Sequence, residues 1–480
     1  MEKIGKQSNR MSRRDFLRLA SLTAAGGILS ACIVSAPVQQ APPAEAPAAP
    51  PEAAEAAPPA PAGATVEMMM WGGELSDDEV KLFNENNPGI TLARIDPDNT
   101  RYFAMLAAGN PPGVFRLQAP QFPQLLAREI PLNLQPFMDV GTTLKTEDLT
   151  SANNYYRSTG GAMEIGDGAV YGMVKDWSPD LTVWANLDLI EEAGLAAPSF
   201  TEPLSYEEIR AYAEKLAKFE GDRTVNRGFD FDRGWVERYW MVWLEGIGSS
   251  LFTADFTKID LVNNPEAREA IEYHFKLGED KLSVTAFNPS PAWIGQDFAD
   301  GTLGLVQYGF WFSGGLELWA SDAMKEKRDA GRIVLLPSPT WKGVRRGPTI
   351  TATGAIVTAA SSAPEAAYRV FEWYMGEEPA DGRARSGWGL PALKSKFDMI
   401  PKESVFRAQV WSVVEAELDY AVFIAKFNPF LAGGEPGEVG SLFDQFQEQA
   451  LAGDMTFDEM IERMETDTNV AIQEGIERIA

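Results

Sequence analysis

Val66-Glu67-Met68-Met69-Met70-Trp71-Gly72-Gly73, then Ser76-Asp77-Asp78-Glu79-Val80, then Asn87-Pro88-Gly89-Ile90, carry the reading of the fold. Val66, Met68 and Met70 alternate as on a strand that ends at Trp71. Ser76, with Glu79 three residues later, makes a capping box, and Val80 and Phe83 fall on one face of the helix that follows. Asn87-Pro88-Gly89 stops that helix, and Ile90 to Ile95 reads as the next strand. A second helix is predicted from about Arg101 to Ala108, stopped at Gly109, and a third strand from Val114 to Gln118. Strand, helix and strand at this spacing predict a mainly parallel sheet flanked by helices.

The same grammar resumes downstream. Leu181 to Ala185 is strand-like, and the helix after it ends at Gly194. Ser205 with Glu208 makes a second capping box, with Ile209, Tyr212, Leu216 and Phe219 as an apolar stripe that stops at Gly221. Asn264-Pro265 opens a helix as N-cap and first helical residue, closed near Gly278. Leu303 to Tyr308, Ile333 to Leu336 and Thr349 to Thr358 read as strands, and Ala366 to Met375 as a helix. The C-terminal third is mainly helical, through Phe457 to Ile479.

The N-terminus reads differently. Ser12-Arg13-Arg14-Asp15-Phe16-Leu17-Arg18 precedes a short apolar stretch that ends in Leu29-Ser30-Ala31-Cys32. That stretch falls short of the roughly 20 apolar residues a bilayer span needs. A basic region, a short apolar region and small residues before a cut site make an export signal. The segment resembles a twin-arginine signal ending in a lipobox, with Met1 or Met11 as start. Residues 1–31 are then the signal peptide, and Cys32, the only cysteine, is the lipidation site. Acyl chains contribute roughly 0.8 kcal/mol per buried CH₂, so two or more anchor the chain stably. Residues 32–64 form an Ala/Pro-rich linker that cannot bury a core. At about 3.1 Å per residue it reaches roughly 100 Å.

Composition and residue usage narrow the chemistry. Loss of residues 1–31 removes six basic and two acidic side chains, taking the formal charge from −27 to −31. Such a surface repels nucleic acid. His274 is the only histidine, which excludes a histidine pair for zinc and a Cys-His dyad; it lies mid-helix and reads as structural. There is no serine in a nucleophile elbow and no phosphate loop. Asp96-Pro97-Asp98-Asn99 lacks the turn glycine and closing Glu of a calcium loop. No metal and no cofactor is expected.

What remains is a set of aromatics at strand ends, where open α/β sheets bind ligands. Trp71 ends the first strand, Gln118 the third, and Asp176-Trp177 the stretch from Ala169. Trp311 follows Leu303 to Gly309, and Trp388 lies in the glycine-flanked loop Ser386-Gly387-Trp388-Gly389. Indole faces stack on the apolar C–H faces of sugar rings, while carboxylates and amides bond the hydroxyls. Trp235, Tyr239 and Trp243 recur every four residues as a core stripe, with Trp240 on another face as a ligand candidate.

Six fragments, in order, resemble one family. They are Tyr102 to Pro112, Gly168-Ala169-Val170-Tyr171-Gly172-Met173, Val183 to Ile190 with Ala193-Gly194-Leu195, Phe298 to Trp311, Ser361 to Ala367, and Gly389-Leu390-Pro391-Ala392. Together they resemble the extracellular solute-binding proteins of carbohydrate-uptake ABC transporters, the maltodextrin-binding-protein-like family 1. Gly113, Trp184-Ala185-Asn186 and Tyr206 depart from its usual pattern. The resemblance implies that Trp71, Glu74, Gln118, Asp176 and Trp311, with Trp388, line a sugar cleft.

It further implies a two-lobed periplasmic-binding-protein α/β fold, with a multi-strand hinge and the ligand between lobes. Lobe one is expected at 65–174 plus 304–350 and lobe two at 177–302 plus 353–480. Hinge crossings are expected near Met173–Asp176, Thr302–Leu305 and Ile350–Thr353. The expected role is capture, not catalysis. A monomer on the outer face of the cell membrane, in the periplasm or at the cell surface, would take a sugar or oligosaccharide and deliver it to the permease subunits of an ABC importer. Two alternatives stay open: the same fold binding a glycerol phosphate or peptide, and a secreted glycosidase using two carboxylates.

Overall fold

The computed structural model describes residues 63–221, 223–422, 425–434 and 436–479. Cys32, the signal and most of the linker lie outside the described residues. Two five-stranded sheets organise the rest. The ten strands are β1 (Ala64–Met69), β2 (Ile90–Ile95), β3 (Val114–Leu117), β4 (Gly172–Val174), β5 (Val183–Asn186), β6 (Lys218–Glu220), β7 (Arg223–Phe231), β8 (Leu303–Gln307), β9 (Ile333–Leu336) and β10 (Gly354–Val357).

The first sheet runs β2-β1-β3-β10-β4. Its β1 pairs in parallel with β2 and β3, as the strand–helix–strand spacing predicts, while β10 lies antiparallel to β3 and β4. Met68, Met69 and Met70 are all buried, so alternation fails at the end of β1. A central parallel strand covered on both faces has no solvent side to mark. The Ser76–Glu79 capping box is formed, and Phe83 of the helix Asp77–Asn86 is buried.

The second sheet runs β9-β5-β8-β7-β6. Only β7 and β8 pair in parallel; the other neighbours are antiparallel. Both lobes are therefore mixed sheets flanked by helices, and the mainly parallel expectation holds only for the start of the first. Capping boxes and caps again act where the sequence places them, at Ser205 and Asn264. Phe219 is a correction. The helix stops at Leu216, and Phe219 sits exposed in β6, which hairpins into β7.

Strand pairing also corrects the expected lobe boundaries. β8 and β9 pair with β5 and β7, so 303–336 belongs to the second sheet, not the first. β10 pairs with β3 and β4, so 354–357 returns to the first sheet, not the second. Thr302–Leu305 is thus no crossing. The chain passes between sheets after β4 and again before β10. The helix Pro364–Gly376 packs on β1, β3 and β10, whereas Val405–Glu417 packs on β9, so a third passage lies between them.

Asp180 ties the first two passages together. Its buried carboxylate accepts from Ser178 Oγ at 2.8 Å, Thr349 Oγ1 at 3.0 Å, the Ile350 and Thr351 amides at 2.9 and 3.0 Å, and Thr351 Oγ1 at 2.8 Å. Burial pushes its pKa up, against the pull of these donors. Asp180→Ala would strand two backbone donors and three hydroxyls. We expect a loss of about 3–5 kcal/mol, since each buried group left unsatisfied costs about 1–3 kcal/mol and such costs are not additive. Urea unfolding reads it; a loss under about 1 kcal/mol would show that the passages hold without this clamp.

Candidate functional site

The strand ends of the two sheets meet at a cleft. Beyond β1 the chain turns tightly, the Glu74 and Leu75 amides both donating to Trp71 O, and this brings Glu74 back toward β3. β3 supplies Arg116 and then Gln118. β4 runs on into Lys175, Asp176, Trp177 and Ser178. The segment leading into β10 enters from the opposite direction, so Thr351 and Thr353 lie beside those ends, with Ala119 N–H donating to Thr351 O and Lys175 N–H to Thr353 O, both at 2.9 Å. From the second lobe come Trp235 and, beyond β8, Trp311. Trp388 follows Gly387, whose left-handed backbone (φ 69°) ends the helix Glu378–Ser386. These residues line a cavity of about 190 Å³.

Its charges cancel. Arg116 donates to Glu74 through Nε at 2.6 Å and Nη2 at 3.1 Å. Lys175 lies 3.4 Å from Glu74 and also pairs with Asp176. Burial alone would raise the Glu74 pKa, but the charges of Lys175 and Arg116 outweigh it and hold the carboxyl at about 2. Two cations and two carboxylates leave a cleft floor that is strongly polar and formally neutral. Paired, desolvated charges of this kind are worth little as attraction for an ion and much as fixed dipoles.

The opposite wall is aromatic. Trp311 meets Tyr308 at 4.9 Å between ring centroids, Trp235 at 6.2 Å and Trp388 at 6.3 Å. Its Nε1–H is buried and has no partner among the described residues. A second hollow of about 180 Å³ shares Arg116 and Gln118 with the first and continues along Trp71, Asp98, Asn99, Gln121 and Gly434. Buried Arg238 crosses beneath, donating to Gln118 Oε1 at 2.7 Å, Ile350 O at 3.3 Å and Gly434 O at 2.9 Å.

Residues 80–400, more than half of the chain, match a family described as bacterial extracellular solute-binding protein. This chain belongs to that family. Solved structures agree in fold. An ABC substrate-binding protein from Listeria monocytogenes, in complex with cycloalternan, superposes with TM-score 0.66 at 20% identity, over 85% of this chain and 98% of that one. The sugar-binding protein MalE from Xanthomonas citri gives 0.62 at 15% identity, over 85% and 98%. A solute binding protein from Thermotoga lettingae bound with alpha-D-tagatose gives 0.63 at 15%, over 85% and 99%. All three are described as binding proteins, not enzymes. No curated relative matches the sequence. Among the described residues of this solute-binding protein, no helix is long and apolar enough to cross a membrane.

The cavity brings together Glu74, Gln118, Asp176, Trp177, Trp311 and Trp388, six of the residues expected from sequence. Trp71 stands apart from them in the adjoining hollow, 48% exposed. Trp177 shows part of its ring only, since its Nε1–H is committed to Pro391 O at 2.9 Å. Trp240 is a correction: it is fully buried in the second lobe, donating to His274 Nδ1 at 2.8 Å, and lines neither hollow. His274 is structural, and burial drives its pKa well below the usual value. Trp235, expected in the core with Tyr239 and Trp243, is buried as they are, but it precedes the helix Val236–Gly246, lies 6.2 Å from Trp311 and also lines the cavity. Its place before the first helical residue is the signal that separates it from the stripe. Arg116, Lys175, Ser178, Thr351 and Thr353 carry no local signal at all.

Proposed function

We propose that this solute-binding protein captures a neutral sugar or oligosaccharide in the cleft between its lobes. It hands that cargo to the permease subunits of an ABC importer outside the cytoplasm, tethered through acyl chains on Cys32. Glu74, Gln118, Asp176, Trp177, Trp235, Trp311 and Trp388 would contact the cargo, with Trp71 at its far end. One observation carries the reading: a charge-cancelled polar floor faces an indole wall across about 190 Å³. Sugars present hydroxyls on their edges and C–H groups on their faces, and this cleft offers fixed donors and acceptors to one and π-faces to the other.

The same geometry weighs against the alternatives. A phosphate would call on Arg116 and Lys175, but both are engaged by carboxylates. A glycosidase needs one carboxyl kept protonated as general acid. Here Glu74 is paired with Arg116 and Lys175, and Asp176 with Lys175, so neither carboxyl of the cavity stands free to serve as that acid.

A thermal-shift screen of the purified protein against mono- and oligosaccharides, polyols, glycerol phosphates and peptides tests this. A ligand at 100 times its Kd stabilises by about 2.7 kcal/mol. Stabilisation by one sugar class, recovered unmodified, is the expected result. Stabilisation by phosphates or peptides instead, or conversion of the sugar, would overturn it.

A further inference from the structure

The indole wall does not end at the cavity. Trp293, outside the cavity lining, lies 6.3 Å from Trp311 with ring planes 23° apart, and 5.2 Å from Trp319 at 90°. Trp319 in turn meets Trp388 at 5.7 Å. Trp293 is nevertheless 42% exposed. Single exposed apolar side chains are ordinary. This one is continuous with a buried aromatic cluster and is held in place.

Glycines do the holding. A Cβ on Gly295 would lie 2.4 Å from Trp293 Cη2, one on Gly315 2.4 Å from Trp319 Cζ3, and one on Gly314 2.6 Å from Trp388 Cε3. Each indole thus rests where only a hydrogen leaves room. The Trp293 backbone is fixed as well, its carbonyl accepting from Gln296 N–H at 2.8 Å and Asp297 N–H at 3.1 Å. A rigid, glycine-seated aromatic offers contact area at low entropic cost, which is what a recognition surface needs and a core does not.

We propose that Trp293, Trp319 and Trp388 form an aromatic shelf that receives sugar units projecting from the cavity, so that the cargo is an oligosaccharide longer than the cavity holds. This rests on the sugar reading above. The shelf serves as a specificity device: it adds affinity for chain length, not for the unit bound inside.

Calorimetry on the full protein tests it, with linear malto-, manno- and cello-oligosaccharides from monosaccharide to hexasaccharide as probes. Wild-type affinity is expected to rise with length in the series it binds. Trp293→Ala should lower affinity for the long members by about tenfold, leave the shortest bound member unchanged, and be largely rescued by Trp293→Phe. A wild type without length dependence, or a Trp293→Ala loss that is absent or equal at every length, overturns the shelf while the cleft stands. Binding of none of these sugars, with another solute class bound instead, overturns both.

Discussion

Trp311→Ala is expected to lower affinity for the bound sugar by about thirtyfold or more while the protein stays folded. The indole lines the cavity and lies among Tyr308, Trp235, Trp388 and Trp293, with ring centroids 4.9 to 6.3 Å away. It also carries a buried N–H that has no partner among the described residues. Truncation removes a π-face and a donor together. Central, well-packed aromatics of this kind cost about 2–4 kcal/mol on truncation, which is roughly thirtyfold to a thousandfold in Kd. Trp311→Phe should fall between, because it keeps a face and loses the N–H. Calorimetry reads the affinity and the unliganded melting point reads the fold. Wild-type affinity in Trp311→Ala would remove the residue from the site.

Gly433→Val is expected to produce a protein that folds but cannot bring its lobes together. Pro120, in the turn after β3, belongs to the first lobe. The residues flanking Gly433 are fastened to the second, through Asn428 Nδ2–H to Phe256 O at 3.0 Å and Arg238 Nη2–H to Gly434 O at 2.9 Å, while Ala425 N–H, further upstream, donates to Tyr155 Oη of the first at 3.0 Å. A Cβ on Gly433 would lie 2.1 Å from Pro120 O and 2.7 Å from Gln121 N, both backbone atoms that cannot rotate aside. The Gly433 backbone is not left-handed, so a side chain is barred by that approach and not by its own conformation. With lobes apart the clash disappears. If ligand selects the closed form, blocking it lowers apparent affinity by the lost closed population, at least about tenfold. Small-angle scattering should show wild type compacting on sugar addition and Gly433→Val staying extended. Equal compaction in both would mean that the segment travels with the first lobe.

These two predictions differ in how visible their residues are from sequence. Trp311 stands directly after a strand-like run, and its role follows from where open α/β sheets hold ligands. Gly433 carries no such mark, because its neighbour Pro120 is remote in sequence and the collision exists only once two lobes are packed. Trp240 shows the reverse failure. A tryptophan on a predicted helix looks the same whether it faces a cleft or a core, and here it faces His274.

Features made by residues a few positions apart belonged to the sequence by itself. Such are the Ser76–Glu79 and Ser205–Glu208 capping boxes, the Asn264-Pro265 helix start and the aromatics at strand ends. Local hydrogen bonding and side-chain periodicity write these into neighbouring residues. Tertiary structure alone decided which sheet β8 and β10 join, because a strand pattern records its burial and not its partner. It alone brought Arg116 onto Glu74, 42 residues away, and so cancelled the charge of the cleft. Long-range pairing depends on the relative placement of whole elements, which no local stretch of sequence encodes.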